Sequence, residues 1–174
     1  ERHAARGEHA RAEAALAQAE ALGRAAVESL QPLLARFTDP RNLARWRRWA
    51  EETIRESART GRYAILVSKI DRRLTLYQGG RPVQAFEVAL GLNGFSDKRV
   101  AGDRATPEGR YHVAKKKAAS RFFRALLLDY PNSADLERFR EGKRLGLIAK
   151  GAGVGGLIEI HGGGVAGMTY GCVA

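Results

Sequence analysis

The sequence predicts an α+β fold, a helical hairpin followed by a mostly antiparallel sheet, and three observations carry that expectation. Apolar residues recur at helical spacing up to about Thr60, the period falls to two from Tyr63 onward, and turn formers punctuate the second part at short intervals. At 174 residues the chain can bury a core of ordinary size. The expected division is a helical segment over residues 1–60 and a second domain over 61–174.

Residues 1–37 are rich in Ala, Glu and Arg, and Leu16, Ala19, Ala26, Leu30, Leu34 and Phe37 recur near helical spacing, so they read as one long helix or its end. The run "TDPRN" stops it, because Pro40 cannot continue a helix but suits a first turn with Asp39 or Thr38 as cap. A second helix follows to about Thr60. Trp46, Trp49, Ala50, Thr53 and Ile54 form a stripe on it wide enough to pack against another layer, which makes the tryptophans packing residues rather than ligand stackers.

The stretches "YAILVSK", "RLTLYQGG" and "PVQAFEVALG" are β-branched and aromatic and read as a meander, with Gly79-Gly80 as a hairpin turn. "ATPEGRYHVAKK" is a turn followed by a strand, in which Pro107 sets φ and Gly109 permits a positive one. "ADLERFREGKRLG" reads as a short helix closed by Gly142 or Gly146. "GLIEIH" is a last buried strand that delivers His161 at its end.

The net charge of +11 is uneven. Residues 1–60 hold 11 basic and 9 acidic side chains, residues 61–174 hold 19 and 10, so the second part carries the positive field. Such a field suits either a solvated basic surface or the steering of polyanions and carboxylate-bearing partners. No apolar run reaches the roughly 18 positions of a membrane helix, so no transmembrane segment is expected in these residues. One cysteine excludes an internal disulfide, and with four scattered histidines it gives no zinc spacing. No metal is expected. The chain starts at Glu1 without a methionine or a signal stretch and is expected to be a fragment.

The glycine-rich end admits three readings. "GAGVGG" (Gly151–Gly156) matches the GxGxxG dinucleotide pattern, but that motif needs a strand before it and a helix after it, and here a strand follows. No cofactor is expected. "HGGG" (His161–Gly164) matches the oxyanion loop of esterases, which requires a Gly-x-Ser-x-Gly elbow that the chain lacks. The third reading pairs His161 with Cys172. A thiol attacks acyl carbon as thiolate, a nearby imidazole lowers the thiol pKa and later returns a proton to the leaving amine, and the surrounding glycines allow close backbone approach. On spacing alone, a buried small hydrophobe stays open as the alternative for Cys172.

Three ordered stretches change that balance: "LGLNGFSDKRVAGDRATPEGRYHV" (Leu90–Val113), "LDYPNSAD" (Leu128–Asp135) and "IEIHGGG…MTYGCVA" (Ile158–Ala174). Together they resemble the L,D-transpeptidase catalytic domain, the YkuD fold, over residues 61–174. Thr106, Pro107, Glu108 and Gly109 resemble the family's turn, and Gly171-Cys172 with upstream His161 its active site. The resemblance implies a β-sandwich-like domain in which Cys172 attacks the amide after an L-centre of a peptidoglycan stem peptide and His161 is base and later acid. It also implies that the carbonyl of Gly162 orients the imidazole and that the amides of Gly171 and Cys172 lie near the oxyanion. The nucleophile motif here is Thr169, Tyr170, Gly171, Cys172 with a short gap back to His161. That is similar to a subgroup whose members include enzymes cutting the link between murein and an outer-membrane lipoprotein, so hydrolysis stands beside transpeptidation and a murein-linked lipoprotein beside the stem peptide as partner. The family continues beyond the point where this chain stops, at Ala174, so truncation is expected. An exported enzyme of the periplasm or cell envelope is implied.

Two rival functions stand beside this one. The first is a basic module binding nucleic acid or another polyanion through Lys115–Lys117, Arg121 and Arg124; only Phe122 and Phe123 are interleaved there, and adjacent strand residues face opposite ways, so at most one could stack. Nucleic acid is not the expected partner. The second is a non-catalytic wall-binding relic with an ordinary thiol.

Overall fold

The computed structural model describes residues 2–120, 122–163 and 167–174, without the side chains of residues 2–7 and 33. The chain forms two compact units, Glu1–Ala44 and Arg45–Ala174.

In the first unit helix α1 (Arg2–Thr38) includes Pro32, and Leu16, Leu22, Val27, Leu30 and Leu34 are exposed on it. Asp39 separates α1 from helix α2 (Pro40–Thr60). Of the two expected caps Asp39 serves: its Oδ1 accepts the Arg41 N–H at 2.8 Å, while the Thr38 hydroxyl donates back to the Ala35 carbonyl at 3.1 Å. Pro40 opens α2, where its missing N–H costs nothing.

The second unit begins inside α2, at Arg45, upstream of the expected division at residue 61. The expected stripe, Trp46, Trp49, Ala50, Thr53 and Ile54, is half-buried along its length, and Ser57, next on that face, is buried. Ser57 Oγ donates to the Arg62 carbonyl at 2.6 Å and accepts the Gly80 N–H at 3.1 Å. A Cβ on Gly80 would come within 2.6 Å of Ala58 Cβ, so only glycine lets this hairpin turn sit so close to α2. Arg110 reaches back to Glu52 and Glu56, each at 3.0 Å.

Strands β1 (Tyr63–Ser68), β2 (Arg73–Gln78) and β3 (Arg81–Glu87) form the expected meander in the order β1-β2-β3, with Tyr63 opposite Gln78 and Ser68 opposite Arg73. Gly79 and Gly80 both have positive φ (56° and 77°), which a two-residue hairpin turn demands. Pro82 is tolerated because β3 is an edge strand.

A second three-stranded sheet has the order β4-β5-β6, from β4 (Val113–Ser120), β5 (Phe123–Leu128) and β6 (Glu159–His161), all antiparallel. The central strand β5 is not among the sequence-derived elements. Helix α3 (Ser133–Arg144) lies between β5 and β6 and opens with a capping box between Asn132 and Asp135. Gly146 (φ 71°) closes it, whereas Gly142 lies inside, where a Cβ would meet Ile148 Cδ1 at 2.6 Å. The Gly151–Gly156 run leads into β6 with no helix after it, so the dinucleotide pattern lacks its required context. Leu74, Val88, Leu90 and Val173 make the core, with Ile65, Val67 and Ile160 packed on it, so β1, β2 and β6 share one apolar centre.

Candidate active site

The residues that close the chain form a seam. On one side Val173 pairs with Ile160 of β6: the His161 N–H donates to the Val173 carbonyl at 2.9 Å, and the Val173 N–H to the Glu159 carbonyl at 2.9 Å. On the other side Ala174 exchanges two backbone bonds with Ala89, at 2.7 and 2.9 Å, and the Leu92 N–H donates to the Thr169 carbonyl at 3.0 Å. Val173 and Ile160 both turn their side chains into the core. Alternation then sends Cys172 to the opposite face, together with Glu159 and His161. All three line one cavity of about 1150 Å³.

The imidazole of His161 is held by two contacts. Its Nδ1 lies 2.7 Å from the Gly162 carbonyl. A carbonyl only accepts, so Nδ1 carries the hydrogen and the neutral ring keeps its lone pair on Nε2. Phe122 stacks on the ring at 4.2 Å between centroids and 15° between planes.

Cys172 is partly buried, and its Sγ lies 3.8 Å from the Leu157 carbonyl. Its turn is held by Thr169, whose hydroxyl donates to the Cys172 carbonyl at 2.7 Å and accepts the Gly171 N–H at 3.1 Å. In that second bond the Gly171 amide donates to a hydroxyl two residues upstream, a local turn contact. Gly171 has φ 130°, and a Cβ there would stand 2.8 Å from the Ala105 carbonyl oxygen. The close approach of turn to loop explains the glycine.

The loop behind that turn is anchored by buried charge. Lys69 Nζ donates to the carbonyls of Ser96 and Thr106, at 2.6 and 2.9 Å, and pairs with Glu108 at 3.0 Å. Thr106 Oγ1 in turn accepts the Gly91 N–H at 2.9 Å. Lys98 pairs with Asp103 at 2.8 Å. Burial pulls the Asp103 carboxyl up, but hydrogen bonds from Lys98 and from the amides of Val100, Arg99 and Ala105 outweigh it and leave its pKa below the usual value. Thr106 and Glu108 of the expected turn thus anchor this loop through Lys69 and Gly91.

Lys115, Lys116 and Lys117 line the cavity along β4, and Lys117 is ion-paired with Glu159. Arg121 and Gly164, from the rival basic cluster and the "HGGG" reading, lie outside the described residues. Arg124 sits over the ring of its neighbour Phe123, at 5.4 Å, while Phe122 is committed to His161. Among the described residues, no group of three or more His, Cys, Asp or Glu side chains could hold a metal ion, and no helix is long and apolar enough to cross a membrane.

Sequence reasoning missed Thr169 as a clamp, Phe122 as a stacking partner and Glu159 in the cavity. A hydroxyl two residues before a glycine is a recognised turn signal and could have pointed to the first. The other two depend on the register of β5, which carried no clear period.

Residues 62–174 match the family described as YkuD, L,D-transpeptidase catalytic domain. No curated protein matches the chain. Among solved structures, that of Bdellovibrio bacteriovorus Bd1075 is similar, with 24% identity and a TM-score of 0.41 over 65% of this chain and 39% of that one. The present chain therefore spans about two fifths of the length of that structure's chain.

Proposed function

Because the chain belongs to the L,D-transpeptidase catalytic domain family, we propose that it transfers acyl groups of peptidoglycan stem peptides through a thioester on Cys172. The observation that supports this most is the shared face. Cys172 and His161 open into one cavity while the Gly162 carbonyl fixes the imidazole hydrogen on Nδ1.

In the proposed reaction, His161 Nε2 takes the thiol proton and Cys172 Sγ bonds to the carbonyl carbon of the amide that follows an L-centre. The carbonyl oxygen becomes an oxyanion, beside which the amides of Gly171 and Cys172 are proposed to lie. As the C–N bond breaks, His161 returns its proton to the leaving amine, leaving the thioester. An acceptor amine then attacks, His161 removes its proton, and the thiolate departs with the new amide formed. Water in place of the amine gives hydrolysis by the same steps, including release of a murein-linked lipoprotein. The site of action is the cell envelope, facing the periplasm.

Intact-mass measurement after mixing with a stem tetrapeptide or a carbapenem tests the reading. The wild-type protein should gain one acyl mass, Cys172→Ser none, and His161→Ala should acylate about 10²–10⁴-fold more slowly. An adduct that persists in Cys172→Ser overturns it. Product analysis with and without an acceptor amine separates transfer from hydrolysis.

A further inference from the structure

The cavity wall opposite the thiol carries uncompensated positive charge. Across the second sheet Lys117 stands opposite Ala125 and Ala125 opposite His161, and one step along the strands Lys115 stands opposite Leu127 and Leu127 opposite Glu159. Alternation therefore puts Lys115, Lys117, Glu159 and His161 on the same face. Among the described residues Glu159 is the one acidic side chain lining the cavity, it is buried, and Lys117 neutralises it. Lys115 and Lys116 are exposed to the same cavity. Among the described residues neither forms an ion pair.

We propose that Lys115, with Lys116 at its rim, is a carboxylate subsite that reads a free carboxylate of the donor peptide; this rests on Cys172 being the acylated residue. The sheet sets the spacing. Three interstrand steps of about 4.8 Å separate β4 from the strand of Cys172, so the two backbones lie roughly 14 Å apart. A lysine side chain covers about 6 Å of that. The remaining gap of about 8 Å corresponds to two or three residues of extended peptide at about 3.3 Å each. The carboxylate selected is thus displaced from the scissile carbonyl and does not belong to the amide being cut. The Lys117–Glu159 pair divides the two regions. Being neutral as a pair, it offers no net charge beside the His161 position on β6, while the lysines farther out attract a carboxylate.

The subsite is tested by binding to the Cys172→Ala protein, so that its outcome does not depend on turnover. The probes are a synthetic stem tetrapeptide with free carboxylates and the same peptide with those carboxylates converted to amides, both titrated calorimetrically. The acid should bind about 2–5-fold tighter than the amide at low salt, as expected for an exposed charge pair, and the preference should shrink as salt rises. In Lys115→Gln the affinity for the acid should fall to the level of the amide. Lys115→Arg, which keeps the charge, should retain the preference. Equal affinity for the two peptides, or a preference that survives in Lys115→Gln, overturns the subsite. Failure of Cys172 acylation with an intact acid preference overturns instead the reading of the thiol.

Discussion

Replacing Gly171 by alanine tests whether the turn that carries Cys172 is set by its contact with the Ala105 loop. The added Cβ would lie 2.8 Å from the Ala105 carbonyl oxygen and 3.3 Å from Ile158 Cδ1. Ordinary contact begins at 3.4 Å, so the turn must retreat by 0.6 Å, the difference between 3.4 and 2.8. It must also hold alanine at φ 130° or abandon that conformation. Backbone strain of this kind costs about 1–3 kcal/mol. Retreat moves Sγ relative to an imidazole pinned on the neighbouring strand, and a misplacement approaching 1 Å costs roughly 10²-fold in rate. We therefore expect Gly171→Ala to remain folded, to unfold at lower urea concentration, and to acylate with a stem tetrapeptide about 10–100-fold more slowly by intact mass. Gly153→Ala serves as control, since nothing lies within 4 Å of a Cβ there. Acylation of Gly171→Ala within twofold of wild type would refute the argument that this contact sets the thiol's position.

Thr169→Val removes both bonds that hold the Cys172 turn and should slow acylation about 30-fold, at roughly 1 kcal/mol per lost hydrogen bond, whereas Thr169→Ser should restore most of the rate. Lys69→Met removes the cation paired with the Glu108 carboxylate, which is only 10% exposed, and should lower unfolding stability by about 3–5 kcal/mol in urea titrations. Burial, helped by the charge of Glu108, raises the Asp97 pKa above its ordinary 3.8, so the folded state holds that proton more tightly than the unfolded one. Its contribution to stability is full below 3.8 and is lost as pH rises through the raised folded value; Asp97→Asn, which can still accept the Glu108 N–H, should gain on wild type as pH increases from 3 to 7. A stability difference that stays flat across that range would contradict it.

Much of the second unit was legible because its signals are local. Gly79-Gly80 between two alternating runs can hardly be other than a hairpin, and Asn132 followed three residues later by Asp135 marks a helix start. His161 and Cys172 were legible as residue types, and three motifs in order made the family legible. Other features were not. Strand β5 reads "FRALLL", which shows no alternation, and its place at the centre of a sheet is set by neighbours that only the tertiary fold supplies. The engagement of the Gly171 amide by Thr169 depends on a φ of 130° that no sequence pattern states. The compact unit's start at Arg45 follows from Ser57 and the two glutamates bonding to loops that come later in the chain.

The seam strand has a kinetic consequence. Ala89 and Ala174 hydrogen-bond across about half the chain length, and the same strand must dock on β6 at the same time. Loop-closure entropy makes such a contact unfavourable until both sheets exist to reward it. The cavity that Cys172 and His161 both line therefore forms only after the two sheets have joined. Under the proposed function, partly folded chains would carry an ordinary cysteine, and the onset of acylation during refolding would time the joining of the two sheets.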